Sequence, residues 1–271
     1  MKTILKDIIP PILIKIFRRS IKHIAYKSYL EALNNCPKAA YEDANIVKVV
    51  IEKNVAFSSL IEKDTTFDLG ALRTLIGIGL AIPSNSLKVL DFGGGGGYHF
   101  NIASTAFGNR VNFQWNVVET TAMAIEAQRL FNHNLKFFNN ISDAASNLGE
   151  IDLVFTSGAL HCCSDPLFFL NELLNLNAKY LFITRTSFTN SFEQVAIIQK
   201  SFLSTNGPGP LPNGFVDQAV YYPNVFVPIL KVEEMITENY DIQFKIIEEK
   251  SAYIAGNNEI DMFGYFCIRR G

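Results

Sequence analysis

The stretch that organises this chain reads Leu87-Lys-Val-Leu-Asp-Phe-Gly-Gly-Gly-Gly-Gly-Tyr-His99. Val89, Leu90 and Phe92 form a short apolar run, and five glycines follow it. This pattern is typical of a buried strand that ends in a tight turn. A helix that begins near Tyr98 would direct its N-terminal amides at the turn. Strand, turn and helix together predict a nucleotide-type pocket at the carboxyl edge of a sheet.

The spacing of the glycines argues against one familiar nucleotide motif. The dinucleotide-binding fingerprint has the pattern Gly-x-Gly-x-x-Gly. If it began at Gly93, its third glycine would fall on Tyr98, and if it began at Gly94, on His99. It cannot begin one position earlier, because Phe92 stands there. No register fits, so the loop opposes a nicotinamide oxidoreductase as the function of the chain.

An acid and three of the glycines stand at alternate positions: Asp91, Gly93, Gly95 and Gly97. Glycine permits positive φ and has no Cβ to keep a ligand off the backbone. This acid-x-Gly-x-Gly-x-Gly pattern resembles the first motif of the class I S-adenosylmethionine-dependent methyltransferases. The resemblance implies that the loop wraps the amino acid part of S-adenosylmethionine and that these four residues bind the cofactor.

Two further cofactor contacts are predicted at the ends of the next two strands. Residues 113–119 form an alternating and then apolar segment that ends in Glu119. A carboxylate at this place can accept hydrogen bonds from both hydroxyls of a ribose. After the short strand Leu135–Phe138, the resemblance implies a contact with adenine from Asn140 or Ile141, of which Asn140 is taken as the candidate. The alternative for Asn140 is a plain asparagine-rich turn.

The fourth predicted strand leads to the candidate catalytic residue. Residues 151–157 form an apolar strand, and Gly158-Ala-Leu-His161 follows. This segment resembles the fourth motif of the same family, so Ser157 is predicted to line the cofactor pocket. His161 is a candidate general base because its unperturbed pKa is roughly 6.5. The alternative is a histidine at a helix start that packs beside the cofactor.

Candidate contacts with the methyl acceptor come later in the chain. The strand Tyr180–Arg185 ends at the same sheet edge, and Arg185 is suited to bind a carboxylate or phosphate through its two-pronged guanidinium. The alternative is that Arg185 pairs with an acid of the fold itself. Tyr221 and Tyr222 are candidate acceptor contacts, with surface packing as the alternative.

The region after the fifth strand is longer than a plain connection. Residues 187–240 are predicted to form a lid-like insertion beside the site. Within it we predict a helix over Phe188–Ser204 and the start of another over Val232–Glu238. The alternating segments Phe244–Tyr253 and Met262–Arg270 predict an antiparallel pair, as in the reversed last strands of the class I methyltransferase sheet.

Composition narrows the class of protein. The chain has 271 residues, of which 48% are apolar, and this suits one globular domain with an appendage. The formal net charge of −2 gives no basic excess that would favour nucleic acid as a partner. The cysteines are Cys36, Cys162, Cys163 and Cys267, and they form neither a CxxC pair nor a disulfide-scaffold spacing. This predicts a cytoplasmic protein, and no residue is assigned to a metal.

The first 27 residues are basic and apolar. They contain seven lysines and arginines against one acid, Asp7, with many isoleucines between them. A helix from Ile12 to about Ala25 is predicted after Pro10 and Pro11. A basic helix with an apolar face can lie on an anionic membrane, so residues 1–27 are a candidate for peripheral membrane contact. The alternative is an ordinary first helix that packs on the domain or on a partner subunit.

The whole pattern predicts an α/β protein. We expect a seven-stranded, mostly parallel, Rossmann-like methyltransferase sheet with an antiparallel last strand, preceded by a helical N-terminal region over residues 1–84. The core over residues 85–271 is similar to a group of poorly characterised bacterial proteins assigned as methyltransferases. The expected function is methyl transfer from S-adenosylmethionine to a small-molecule or glycan-like acceptor. The alternative is a non-catalytic protein that keeps this fold as a binding or scaffold module.

Overall fold

The computed structural model describes residues 22–37, 44–61 and 63–271. The strands, in chain order, are β1 (Lys22–His23), β2 (Ser86–Phe92), β3 (Asn112–Val118), β4 (Leu135–Phe138), β5 (Leu153–Ser157), β6 (Tyr180–Thr189), β7 (Val195–Phe202), β8 (Ala219–Phe226), β9 (Tyr240–Ala255) and β10 (Asn258–Arg269). The α-helices are α1 (Tyr29–Asn34), α2 (Ala44–Ile61), α3 (Leu69–Ala81), α4 (Tyr98–Phe107), α5 (Thr121–Ala127), α6 (Ile141–Leu148), α7 (Pro166–Asn175) and α8 (Ile229–Asn239).

The larger sheet confirms the predicted Rossmann-like fold. In the described part of the chain its strand order is β1-β9-β10-β6-β5-β2-β3-β4. Strands β2 to β6 are mutually parallel where they pair, and β10 runs antiparallel to both β6 and β9. Because β2 lies between β3 and β5, the chain reverses its direction of winding at β2. Folds of this kind bind ligands outside the carboxyl ends of the strands at such a point.

The N-terminal part departs from the sequence prediction where it can be seen. The sheet has an eighth strand in the described residues, since Lys22 and His23 pair in parallel with Ile254 and Ala255. The predicted helix from Ile12 to Ala25 is therefore wrong over residues 22–25. Its earlier part, and most of the candidate membrane segment 1–27, lie outside the described residues. None of the helices that the structure describes is long and apolar enough to cross a membrane.

The predicted helix over Phe188–Ser204 is also wrong. This segment completes β6 and then forms β7, which pairs with β8 in a separate antiparallel hairpin. Val195-Ala-Ile-Ile198 contains three β-branched residues, which favour a strand over a helix. Backbone hydrogen bonds of 2.8 Å in both directions between Tyr26 and Ala196 fix the hairpin to the N-terminal segment. The helix predicted from Val232 is confirmed as part of α8.

Two apolar layers hold the sheet from opposite faces. Side chains alternate between the faces of a strand, so the neighbours Val89 and Leu90 of β2 enter different cores. The core that contains Val89 is covered by α2 to α5, and the core that contains Leu90 by α6 to α8. Gly77 lets α3 approach the sheet closely, because a Cβ there would overlap the Phe182 ring. Burial on both faces leaves the strand ends as the accessible edge.

Candidate functional site

The glycine loop after β2 adopts a conformation that the sequence pattern requires. Gly93, Gly95 and Gly97 have φ values of 78°, 58° and 83°. Residues with a Cβ rarely adopt such values, whereas glycine does so readily. The Gly93 N–H donates to the carbonyl of Val118 at the end of β3, over 2.8 Å. The loop is thereby fixed at the carboxyl ends of the two strands.

The same loop meets the chain that leaves β5. A Cβ on Gly93 would overlap the Cβ of Ala159, which shows how closely the two loops approach. Because β2 and β5 are neighbours at the point where the winding reverses, this contact marks the crevice of the fold. The predicted cofactor residues therefore lie at the position where this class of sheet binds its ligands.

Only one of the five glycines has room for a Cβ without overlap. A Cβ on Gly94 would overlap Asp91, one on Gly96 would lie 2.8 Å from the side chain of Asn54, and one on Gly97 would lie 2.7 Å from Leu135. These glycines are needed for packing within the protein. A Cβ on Gly95 would meet only Val50, at the ordinary contact distance of 3.6 Å. Gly95 is half-buried and is thus the least crowded glycine of the loop.

Asp91 lies beneath the loop and is completely buried. Its Oδ2 accepts a hydrogen bond of 3.1 Å from the indole N–H of Trp115, and His99 Nδ1 lies 3.0 Å from the same oxygen. The other oxygen, Oδ1, is buried without a hydrogen-bond partner in the described residues. Asp91 therefore supports the loop from below. Its direct contact with a cofactor stays a prediction, for which Oδ1 is the available atom.

Glu119 reaches the loop from the end of β3. Its Oε1 accepts from the Gly95 N–H over 2.9 Å, and its Oε2 accepts from the Thr120 N–H over 3.0 Å. Burial raises the pKa of this carboxyl to about 7, the two N–H donors oppose that rise, and the charge of Asp91 adds to it. Each carboxylate oxygen accepts one hydrogen bond in the structure and has capacity for another.

These groups fit S-adenosylmethionine. Glu119 offers two oxygens with unused acceptor capacity to a ribose diol, and they stand beside Gly95, the least crowded glycine of the loop. The buried, unpartnered Oδ1 of Asp91 is a further acceptor at the loop. In the described part of the chain, no group of three or more histidine, cysteine, aspartate or glutamate side chains is arranged to hold a metal ion.

Ser157 and His161 lie on the chain that leaves β5. Ser157 is half-buried, and its Oγ accepts from the Thr184 hydroxyl over 2.9 Å. His161 is buried, and its Nδ1 accepts from the Ser187 N–H over 3.4 Å. Burial, with a smaller effect of the charge of Arg185, lowers the pKa of His161 to about 4. A neutral ring that accepts at Nδ1 carries its proton on Nε2, so it is arranged as a donor.

The residues predicted to contact the acceptor are divided by the structure. Arg185 is exposed at the sheet edge, with its Cζ 3.9 Å from the position of a Cβ on Gly158. Tyr222 is buried on β8 and near enough to Arg185 for their charges to interact. Tyr221, its neighbour, points to the opposite face of the hairpin, where Lys200 lies over its ring. The structure thus brings Tyr222, but not Tyr221, toward Arg185.

Asn140 caps α6 and is exposed. Its Oδ1 accepts from the Asp143 N–H over 2.8 Å, and its Nδ2 donates to the Asp143 carboxylate. This geometry matches the alternative of an asparagine-rich turn, and the proposed adenine contact stays a prediction. The cap explains why asparagine stands here without a ligand.

Several residues that build the site were not predicted from the sequence. Val50 and Asn54 of α2 cover the glycine loop, and Lys53 of α2 donates to the carbonyl of Ser204 over 2.8 Å. Through this bond the connection between β7 and β8 is tied to the helix that covers the loop. His99 stands eight residues after Asp91, on the first turn of α4, and this spacing is the one local signal that could have identified it.

Comparison with known proteins gives similarity in structure alone. No family model and no curated protein sequence matches the chain. An S-adenosylmethionine-dependent methyltransferase from Clostridium acetobutylicum is 13% identical, with 80% of this chain and 99% of that one covered and a TM-score of 0.46. An S-adenosylmethionine-dependent methyltransferase from Aquifex aeolicus is 16% identical, with 78% and 97% covered and a TM-score of 0.39.

A further solved structure holds a cofactor product. It is the 1,6-didemethyltoxoflavin-N1-methyltransferase of Burkholderia thailandensis with bound S-adenosylhomocysteine, 17% identical, with 87% of this chain and 92% of that one covered and a TM-score of 0.41. All three of these solved structures are of methyltransferases.

Proposed function

We propose that this chain is an S-adenosylmethionine-dependent methyltransferase that acts on a small-molecule or glycan-like acceptor. One observation carries the proposal: the carboxylate of Glu119 lies 2.9 Å from the Gly95 N–H, at the carboxyl edge where the winding of the sheet reverses. Two acceptor oxygens for a diol therefore stand beside Gly95, where a Cβ would meet only Val50 at ordinary contact distance. The failed dinucleotide spacing favours S-adenosylmethionine over a nicotinamide cofactor.

The residues of the chain have separate tasks in this proposal. S-Adenosylmethionine, when bound, supplies a methyl group already activated by the sulfonium, so alignment with the acceptor is the main requirement. Ionised Glu119 accepts the ribose hydroxyls, and Gly95 allows close approach of the ligand to the backbone. Val50 and Asn54 cover the loop and exclude water from that side. Asp91 holds the loop through its bonds with Trp115 and His99.

The role of His161 depends on the acceptor. A general base is needed only where the acceptor atom carries a proton that must leave. The buried, neutral ring with Nδ1 accepting from Ser187 supports a histidine that packs beside the cofactor and donates through Nε2. Proton abstraction by His161 is the alternative proposal, and it requires the opposite tautomer. A methylation rate that falls less than tenfold in His161→Gln would favour the packing role.

A non-catalytic binding or scaffold role is the second candidate function. The burial of His161 favours it, because a buried ring with a lowered pKa, whose Nδ1 already accepts from the Ser187 N–H, is poorly arranged to take a proton from an acceptor. Binding of S-adenosylmethionine without turnover would be the mark of such a protein. The two candidates agree on the pocket and differ only in chemistry.

The test uses isotope-labelled methyl groups. Equilibrium dialysis against methyl-labelled S-adenosylmethionine and, separately, against labelled NAD first establishes which cofactor binds. Incubation with fractionated small-molecule and glycan extracts then measures transfer of label, and Glu119→Ala protein serves as the matched control. Label in a product that depends on Glu119 supports the methyltransferase. Binding without transfer to any fraction supports the scaffold role, and binding of NAD alone would overturn both.

Location and surface attachment are further proposals. Cysteine usage supports a cytoplasmic protein, and the basic composition of residues 1–27 supports contact with an anionic membrane surface. Co-sedimentation with vesicles that contain anionic lipid, with and without residues 1–24, tests the second point. Equal binding by both proteins would contradict it.

A further inference from the structure

Arg185 has a backbone conformation that is unfavourable for its side chain. Its φ is 52°, in the left-handed region. Asparagine and aspartate are enriched in that region among residues with a Cβ, whereas a long side chain is uncommon there. Such strain persists where the surroundings impose it, and it concentrates at functional sites. Two features therefore need a physical reason: the contacts that hold the Arg185 backbone at positive φ, and the ligand that its side chain can bind in that conformation.

A β-bulge imposes the conformation. In the pairing of β6 with β10, Thr186 faces Phe263 and the next aligned pair is Ile183 with Tyr265. Two residues of β6, Thr184 and Arg185, thus oppose the single residue Gly264. A bulge of this kind bends the strand and re-aims a side chain, and it is common beside active sites.

A buried glutamate fixes the bulge. The side chain of Glu248 on β9 is 6% exposed, and its Oε1 accepts from the Arg185 backbone N–H over 2.6 Å. Its Oε2 is paired with the Arg73 guanidinium of α3, also at 2.6 Å. Gly264 makes room for this carboxylate, since a Cβ there would lie 3.3 Å from Oε1 and 2.8 Å from the Ile183 carbonyl oxygen. Glu248 therefore positions Arg185 through its main chain.

The guanidinium of Arg185 lies beside Gly158, on the loop that packs against Gly93. Within residues 22–37, 44–61 and 63–271 it has neither a hydrogen-bond nor an ion-pair partner, since the bond of Arg185 to Glu248 is made by the backbone N–H. Burial lowers the pKa of the Arg73 guanidinium most, and the nearby charge of Arg185 lowers it further, while Glu248 raises it. The Nε of Arg73 is buried and also lacks a hydrogen-bond acceptor in that part of the chain.

We propose that Arg185, with Arg73 behind it, binds a carboxylate or phosphate of the methyl acceptor, so that the acceptor is an anion. The identity of the ligand as a methyl acceptor rests on the proposed function. The inference of an oxyanion site does not rest on it. That inference follows from an exposed guanidinium, unpaired within the described residues, that extends from a strained backbone at the edge that carries the glycine loop. A planar guanidinium binds both kinds of oxyanion through two parallel hydrogen bonds.

The test is a titration followed by nuclear magnetic resonance of the arginine Nε–H groups. The signal of Arg185 is identified by its loss in Arg185→Lys. The full chain is then titrated separately with inorganic phosphate and with succinate, which distinguish a phosphate from a carboxylate ligand. Arg110 is the internal control, because it is exposed and bonds only to the Ala106 and Phe107 carbonyls of its own turn.

We expect a saturable shift of the Arg185 signal with at least one of the two anions, and little movement of Arg110. In Glu248→Gln the dissociation constant should rise at least tenfold, although Arg185 itself is unchanged. A purely structural Glu248 would leave that constant unchanged in protein that remains folded. Equal, non-saturating shifts of Arg185 and Arg110, or no shift with either anion, would overturn the proposal.

A parallel titration with S-adenosylmethionine separates this inference from the proposed function. Arg185→Lys should bind S-adenosylmethionine within about twofold of wild type, because no cofactor contact is assigned to Arg185. If wild type binds an anion at Arg185 but does not bind S-adenosylmethionine, the proposed function fails and the oxyanion site stands. If it binds S-adenosylmethionine but no anion, the reverse holds.

Discussion

The carboxylate of Glu119 and the backbone N–H of Gly95 are joined by a hydrogen bond of 2.9 Å, although 24 residues separate them. This bond connects the end of β3 to the one glycine of the loop at which a Cβ would meet no atom closer than 3.6 Å. It therefore links the two features that were predicted separately from the sequence, a ribose acceptor and a ligand-binding turn. The experiments below follow from it and from its surroundings.

The first prediction concerns the effect of pH on cofactor binding. Burial raises the pKa of Glu119 to about 7, and hydroxyl donors bind the ionised form. Affinity for S-adenosylmethionine should therefore increase as pH rises toward 7, by up to about tenfold per unit, and level off above it. Glu119→Gln should remove this pH dependence. Calorimetry at several pH values measures it, and equal slopes for the two proteins would contradict the assignment.

The same ionisation has the opposite effect on the stability of the ligand-free protein: as pH rises, the contribution of Glu119 to the free energy of unfolding decreases. The unfolded chain ionises this glutamate near 4.5 and the folded chain at about 7. Between those values the folded state binds more protons, so the contribution of Glu119 to stability falls as pH rises through that window. Denaturant unfolding of wild type against Glu119→Gln should show this difference. Its absence would indicate that Glu119 is not buried as described.

A second prediction separates backbone strain from steric overlap in the loop. Gly93→Ala adds a Cβ at positive φ that also overlaps Ala159, and should destabilise the fold by about 2 to 4 kcal/mol. Gly149→Ala has a similar φ of 70° but meets nothing within 4 Å, and should cost about 1 kcal/mol. Urea unfolding compares the two variants. Equal costs would mean that the loops after β2 and β5 do not touch as described.

A third prediction uses the single tryptophan as a reporter. Trp115 is fully buried, and its indole N–H donates to Asp91 beneath the loop. In Asp91→Asn the amide oxygen can still accept from Trp115 and His99, but the NH2 group takes the buried, unpartnered position of Oδ1, and its unsatisfied hydrogens should cost about 1 to 3 kcal/mol. Glu150→Gln, at an exposed acid that follows α6, should change stability by less than about 0.5 kcal/mol.

Trp115 fluorescence follows unfolding of both of these variants. It should also change when S-adenosylmethionine binds to wild type, because Trp115 contacts the residue that supports the loop. If calorimetry shows that S-adenosylmethionine binds and the Trp115 fluorescence does not change, Asp91 is not part of the cofactor pocket.

A fourth prediction exposes the cost of keeping arginine at the bulge. Arg185→Asn retains the left-handed backbone with a residue that tolerates it, so stability should rise by about 0.5 to 1 kcal/mol. Arg185→Lys keeps a long side chain at φ 52° and should leave stability unchanged. Denaturant midpoints of the two variants compare them. A loss of stability in Arg185→Asn would mean that the guanidinium serves the fold and not a ligand.

Short-range patterns account for the parts of the fold that sequence predicts well. The strand, glycine turn and helix around Asp91 are specified by adjacent residues, and so are the strands that end at Glu119 and Ser157. Each of these depends on alternation, apolar runs and glycine positions that the chain displays locally. The reversed pair at the end follows in the same way, from two alternating segments. The predicted sheet was confirmed for this reason.

Long-range contacts explain what the sequence did not reveal. The pairing of Lys22 with Ile254 joins residues from opposite ends of the chain, and no local signal announces it. Asn54 covers Gly96 from a helix more than forty positions away. Arg185 is strained only because Glu248 and Gly264 come from two other strands. The helix predicted over residues 188–204 failed because pairing with β8 outweighs helix propensity there.

The most direct test of the central claim is calorimetric titration of three proteins with S-adenosylmethionine: wild type, Glu119→Ala and Glu126→Ala. Glu126 is the matched control. It lies on α5, the helix that follows Glu119, and forms an exposed ion pair with Arg129 in the 3₁₀ turn after that helix. We predict that wild type and Glu126→Ala bind alike, and that Glu119→Ala binds more weakly by about 1 to 3 kcal/mol. Equal binding by all three folded proteins, or no binding by wild type, would contradict the claim.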